Sequence, residues 1–193
     1  ENQKSKDLFN DLTFSVDLDI EREVLKLYCC ALSGADLAVQ SSSVMVDKEI
    51  GWFNPELATT EGSTIFLPES IKRFNKKEKN FSWLKVIATH QVGHIEFGTF
   101  HFKLQKGSKF FKDLRSELKS DLEKDNKNKE ITDMTNFFKF FDDSKLAQDI
   151  FSVFEAFRVD QKIIKKYLGI KNSFLEVQNE CLEDRPKISS LPA

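Results

Sequence analysis

Apolar residues recur along this chain in two rhythms, and together they predict a mainly helical fold with a small sheet. The helical rhythm appears first over residues 20–40, where Ile20, Val24, Leu27, Tyr28, Ala31 and Leu32 share a face behind Asp17 and Asp19 as start signals. It returns over residues 81–97, with Asn80 as N-cap and Gly98 as stop. Residues 108–125 repeat it through Phe110, Phe111, Leu114, Leu118 and Leu122, and residues 131–141 read as a short aromatic helix. The best-marked helix opens at the cap Ser144 and stops at Gly169. Its apolar face is Leu146, Ile150, Val153, Phe154, Phe157, Ile163 and Ile164. A last helix is expected over residues 173–182, ended by Pro186.

The alternating rhythm of strands is confined to the first half. Residues 12–18 alternate apolar and polar, and residues 63–67 read as a strand between the turn signal at 59–63 and Pro68. Residues 44–57 fit neither rhythm. Residues 1–10 are polar, 72–80 form a charged loop, 100–104 are short and extended, and 125–129 are an exposed loop suited to proteolytic nicking. The expectation is an α+β class, one domain over residues 1–185, and a tail over 186–193.

Composition narrows this picture. A chain of 193 residues suits one domain burying roughly 70% of the surface its unfolded form exposes. The 19 phenylalanines against 7 glycines fit a bulky helical core. Net charge is −2, with both signs interleaved, so no basic field draws the chain to nucleic acid or to an anionic membrane. No apolar run nears the ~20 residues of a transmembrane helix. No signal peptide is visible. Beginning at Glu1 rather than at methionine, the sequence reads as a piece cut from a longer chain. Its three cysteines, Cys29, Cys30 and Cys181, lack the CxxC spacing of a zinc site and read as reduced, which points to the cytoplasm.

The chemistry is concentrated in His90-Gln91-Val92-Gly93-His94. Histidines at i and i+4 lie one turn apart on one helix face and can share a tetrahedral metal ion, normally Zn2+. In H-E-x-x-H peptidases the residue after the first histidine is the general-base glutamate. Gln91 holds that position here. A third ligand is needed, and two readings stand. One is a carboxylate from a later helix, Glu155, with Arg158 or Asp160 in support; a Glu155–Arg158 pair within the helix is its structural alternative. The other is His101, although Gly98 and His101 each fall one residue later than H-E-x-x-H-x-x-G-x-x-H requires.

Three segments together resemble one family. They are Thr60-Glu61-Gly62-Ser63-Thr64-Ile65-Phe66-Leu67-Pro68, then Ala88-Thr89-His90-Gln91-Val92-Gly93-His94-Ile95-Glu96-Phe97-Gly98-Thr99-Phe100, then Phe154-Glu155-Ala156-Phe157-Arg158-Val159-Asp160. The family is the N-terminal region of von Willebrand factor A accessory proteins that work beside MoxR-type AAA+ ATPases, including the nitric oxide reductase activation protein D group. The resemblance spans residues 59–160 and implies a gluzincin-like (zincin) fold, with His90, His94 and Glu155 as zinc ligands. It also implies an AAA+ ATPase or a von Willebrand A protein as partner. The chain departs from the pattern at Gln91 and at Ala156-Phe157, and it contains no von Willebrand domain.

The expected function is therefore a zinc metallopeptidase domain acting on a peptide or protein substrate. The strand at residues 64–67 is expected to receive an extended substrate by strand addition. Gln91 has two readings: a substitution that silences an otherwise complete site, or a natural pseudopeptidase serving as a non-catalytic interaction domain. The completeness of the remaining site favours the first.

Overall fold

The computed structural model describes residues 14–44, 59–104 and 132–186. They contain strands β1 (Val16–Asp17), β2 (Ala38–Ser41), β3 (Thr59–Glu61), β4 (Thr64–Leu67) and β5 (Ser70–Ile71). The helices are α1 (Leu18–Ser33), α2 (Lys77–Glu96), α3 (Asp133–Phe138), α4 (Ser144–Lys166) and α5 (Lys171–Glu183), with 3-10 turns at Thr99–His101 and Leu168–Ile170. This is the expected mainly helical, α+β composition. No described helix is long and apolar enough to cross a membrane. The helix expected over 108–125 and the loop over 125–129 lie outside the described residues, as do residues 1–10 and most of 44–57.

The chain divides into two compact units, one of residues 1–97 with 159–193 and one of residues 98–158. In the first, a three-stranded sheet has the order β2-β4-β3, with β2 parallel and β3 antiparallel to β4. The β3–β4 turn is tight because Gly62 adopts φ 59°, which glycine enters without a Cβ penalty. β4 is therefore the central strand, hydrogen-bonded on both sides. This corrects the expectation that residues 64–67 receive a substrate strand. Among the described residues, β2 and β3 are the outer strands of this sheet.

The helix expected over 20–40 stops sixteen residues after it starts. Gly34 takes the left-handed conformation (φ 68°) and its N–H closes on the Cys30 carbonyl at 2.9 Å. The chain then turns into β2. The buried face also differs from the expected one. Leu18, Leu25 and Cys29 are buried, while Ile20, Val24 and Leu27 are exposed. Burial and the neighbouring Cys30 push the Cys29 thiol up to about 12.

α2 is buried on two sides. Leu84, Ala88 and Val92 join the core formed by Leu25, Cys29, Leu37, Val39, Ile65 and Leu67. Val86 faces the opposite way into a second cluster with Val159, Ile163, Ile170 and Phe174, from the end of α4, the 3-10 turn after it and α5. The α1–α2 contact includes a polar link. Thr89 gives its hydroxyl proton to the Lys85 carbonyl at 2.7 Å, so Tyr28 donates to Thr89 Oγ1 at 2.8 Å. At the end of α2, Glu96 pairs with Lys166 and accepts from the Tyr167 hydroxyl, and burial first, then Glu96, raises the Tyr167 pKa.

The start of α2 corrects another expectation. Lys76, not Asn80, occupies the N-cap position. Asn80 lies inside the first turn, fully buried, and its amide holds the preceding loop instead.

In the second unit, Thr132 caps α3 by accepting from the Thr135 N–H. The cap of α4 is Asp143 rather than Ser144, since Asp143 Oδ1 accepts from the Leu146 N–H at 2.8 Å. Phe137 packs edge-on against Phe138, Phe140 and Phe141, and Phe138 against Phe151. The apolar face expected on α4 is buried at Ile163 alone among its fully hidden positions. Leu146, Ile150, Val153, Phe154 and Phe157 are exposed. Some of them line an apolar groove of about 490 Å³ with Phe137 and Phe141.

Candidate metal centre

α2 leaves its third side to polar residues, because cores occupy the other two. His90, Gln91 and His94 are half-buried on the helix that carries Val92 and Gly93 fully inward. The two imidazoles converge, with Nε2 of His90 3.0 Å from Nε2 of His94 and the rings nearly perpendicular at 81°.

The tautomer of His90 follows from its other nitrogen. Nδ1 lies 2.6 Å from Asp160 Oδ1. An ionised carboxylate only accepts, so Nδ1 carries the proton, and a neutral His90 then presents its Nε2 lone pair towards His94. A carboxylate on the far nitrogen of a ligating histidine is the usual device for orienting the ring and raising its basicity. Of Arg158 and Asp160, the two residues expected in support of the site, it is Asp160 that contacts His90.

The donor set fits a cation at two positions. Two imidazole nitrogens sharing one tetrahedral zinc stand about 3.3 Å apart at ordinary Zn–N lengths. The observed 3.0 Å separation is close to that. Among the described residues, no group of three or more His, Cys, Asp or Glu side chains gathers in metal-binding geometry.

Glu155 and Arg158 belong to the second unit. Arg158 Nε donates to Glu155 Oε2 at 2.7 Å and its terminal nitrogen to Oε1 at 2.5 Å. Thr99 Oγ1 also donates to Oε1, at 2.5 Å. The intrahelical pair that the sequence left open is thus formed. The Glu155 hydrogen bond raises the Arg158 pKa above its ordinary value. His101 lies exposed in the 3-10 turn after Gly98, and Gly98 takes φ 74°.

Gln91 is tied to the sheet. Thr60 Oγ1, on strand β3, donates to Gln91 Oε1 at 2.8 Å. Thr60 pairs with Ile65, so its side chain shares the core-facing side of the sheet.

Gly93 sets how closely α4 approaches α2. A Cβ there would stand 2.6 Å from Val159 Cγ1 and 2.9 Å from Ile163 Cδ1. Val159 is stiff at χ1 and fully buried, so it cannot turn away. Gly93→Ala gains up to ~1 kcal/mol of helix propensity. It costs about 1–3 kcal/mol in overpacking. A net loss of about 1 kcal/mol is expected in urea unfolding.

Sequence reasoning missed Gln178, whose amide reaches Asp160 from α5. No spacing within the chain signals that contact. Compared with protein-family models, with curated proteins and with solved structures, the chain matches none of them.

Proposed function

We propose that the first unit carries a zinc site of the H-x-x-x-H peptidase type, with glutamine at the general-base position. The observation that carries it is the convergence of the His90 and His94 Nε2 atoms, with His90 Nδ1 in contact with the Asp160 carboxylate. His90 and His94 are two ligands, and Glu155 is proposed as the third on the strength of the family resemblance. Bound zinc would polarise a substrate carbonyl and acidify a water.

The chain's own residues then divide the work. Asp160 orients His90. Thr60 fixes the Gln91 carboxamide, which can hold a water or a peptide group but cannot take a proton. The outer edge of β3, the strand that carries Thr60, is proposed to bind an extended peptide by strand addition. The three free thiols suit a reducing, cytoplasmic setting. A zincin-like fold is part of the same proposal.

Zinc titration of the full chain against a chelating dye tests this reading. Tight 1:1 binding is expected, weakened by more than about 100-fold in His94→Ala, beyond the usual loss for an outer-shell partner. Glu155→Gln should weaken it comparably. Equal affinity of wild type and His94→Ala would end the proposal.

A second reading is favoured by Gln91 itself. A carboxamide, which cannot take a proton, suits a domain that binds without cleaving, such as a docking module for an AAA+ ATPase or a von Willebrand A partner. On that reading, His90→Ala leaves partner capture unchanged while the fold persists.

A further inference from the structure

We infer that Gln178 is a positioning residue for His90, acting through Asp160. Its consequence for zinc rests on the metal reading above, whereas its geometry does not. Gln178 Nε2 donates to Asp160 Oδ2 at 2.8 Å, and the other oxygen of that carboxylate accepts from His90 Nδ1 at 2.6 Å. The contacts form one line across three helices, from α5 through α4 to α2. Each oxygen of Asp160 has its own donor. Side-chain exposure is 18% for Asp160 and 23% for His90, so water reaches this pair only partly.

Packing fixes the donor. Phe174 lies one helical turn before Gln178 and is 2% exposed, in the same cluster as Val159 and Ile163. Those two residues flank Asp160 on α4. The anchor of α5 and the anchor of α4 are therefore one hydrophobic cluster, which sets the amide at hydrogen-bonding distance from the carboxylate.

The chemical effect follows from the carboxylate plane. An aspartate held at one oxygen only can rotate about its terminal torsion, and its alignment with a ring N–H then degrades. With Gln178 on Oδ2, Oδ1 stays aimed at Nδ1. His90 is thereby kept in the Nδ1–H form, with its Nε2 lone pair facing His94. Without Gln178, neutral His90 exchanges between both tautomers. In the Nε2–H form it presents a proton where a ligand atom is required.

The test uses the full chain, metal-free, with ¹⁵N-labelled histidine at a pH where the imidazoles are neutral. Ring ¹⁵N shifts report the tautomer directly, and His94→Ala and His101→Ala spectra assign the signals. Wild type should show His90 as a single Nδ1–H species. Gln178→Leu, close in size but without a donor, should show a tautomer mixture. Gln178→Asn, one methylene short of Asp160, should do the same with a polar side chain. Gln178→Lys, which keeps a donor for Oδ2, should restore the wild-type pattern.

Zinc affinity supplies the second readout. About a tenfold loss is expected in Gln178→Leu, the low end for outer-shell partners. No further loss is expected when that change is added to Asp160→Asn, since the two act in series. An unchanged His90 tautomer in Gln178→Leu and Gln178→Asn overturns the inference, whatever zinc does. If the tautomer shifts but the wild-type chain binds no zinc, the positioning role stands and the metal reading fails.

Discussion

Gln91→Glu is expected to turn peptide cleavage on, by ~10²–10⁴-fold in kcat/KM, the usual worth of a general base. The two side chains are nearly isosteric. The Thr60 hydroxyl, 2.8 Å from Oε1, can donate to a carboxylate as well as to an amide. Neither β3 nor α2 needs to move, so the exchange tests chemistry rather than packing. A carboxylate at this place can accept the proton of an attacking water, which the amide cannot. The measurement is mass-spectrometric cleavage of a mixed peptide library by the full chain, with zinc and with chelator. The gain should vanish with chelator and in the Gln91→Glu, His94→Ala double variant. Silence with zinc present would leave the non-catalytic reading standing.

The convergence of His90 and His94 is more legible in the sequence than the fold around it. Two histidines at i and i+4 need only an α-helix to share a face, so local periodicity sufficed. Asp160 was visible as a polar residue in an apolar helix, though its geometry could not choose between it and Arg158. Gln178 was invisible, because its contact depends on how α5 docks.

The errors in the fold have the same origin. Residues 35–40 read as helix because their apolar spacing fits one. The parallel pairing of β2 with β4, from Ala38↔Thr64 to Ser41↔Leu67, decides otherwise. α1 carries two apolar stripes, and periodicity cannot rank Ile20, Val24 and Leu27 against Leu18, Leu25 and Cys29. The core chose the second stripe. β4 is legible as a strand in the sequence, yet its central place is not. One neighbour read as helix and the other as a turn, so no sheet order could be drawn.

Asn80 carries the largest stability effect expected of a single side chain here. Its Oδ1 accepts from the Arg73 N–H at 2.9 Å and the Phe74 N–H at 2.8 Å. Its Nδ2 donates to the Phe14 carbonyl at 2.5 Å and the Phe74 carbonyl at 2.8 Å. One fully buried amide thus satisfies four backbone groups, joining the start of α2 to the loop before it and to the segment leading into β1. Four net hydrogen bonds at ~0.5–1.5 kcal/mol each bound the loss in Asn80→Ala at ~2–6 kcal/mol. Water reaching partly exposed Phe74 places the expected value at about 3 kcal/mol, readable as a lower urea midpoint. Asn80→Asp distinguishes hydrogen bonding from packing. It keeps the shape and the acceptor but sets a carboxylate against two carbonyls, so its folded pKa is raised above the unfolded ~3.9. The folded state then binds more protons than the unfolded state, and stability falls as pH rises through that window. Asn80→Asp should therefore recover part of its deficit on acidification to about pH 4–5, relative to wild type, whereas Asn80→Ala should not. Parallel curves for the two variants would mean that the amide acts by filling space, and that its four contacts contribute little.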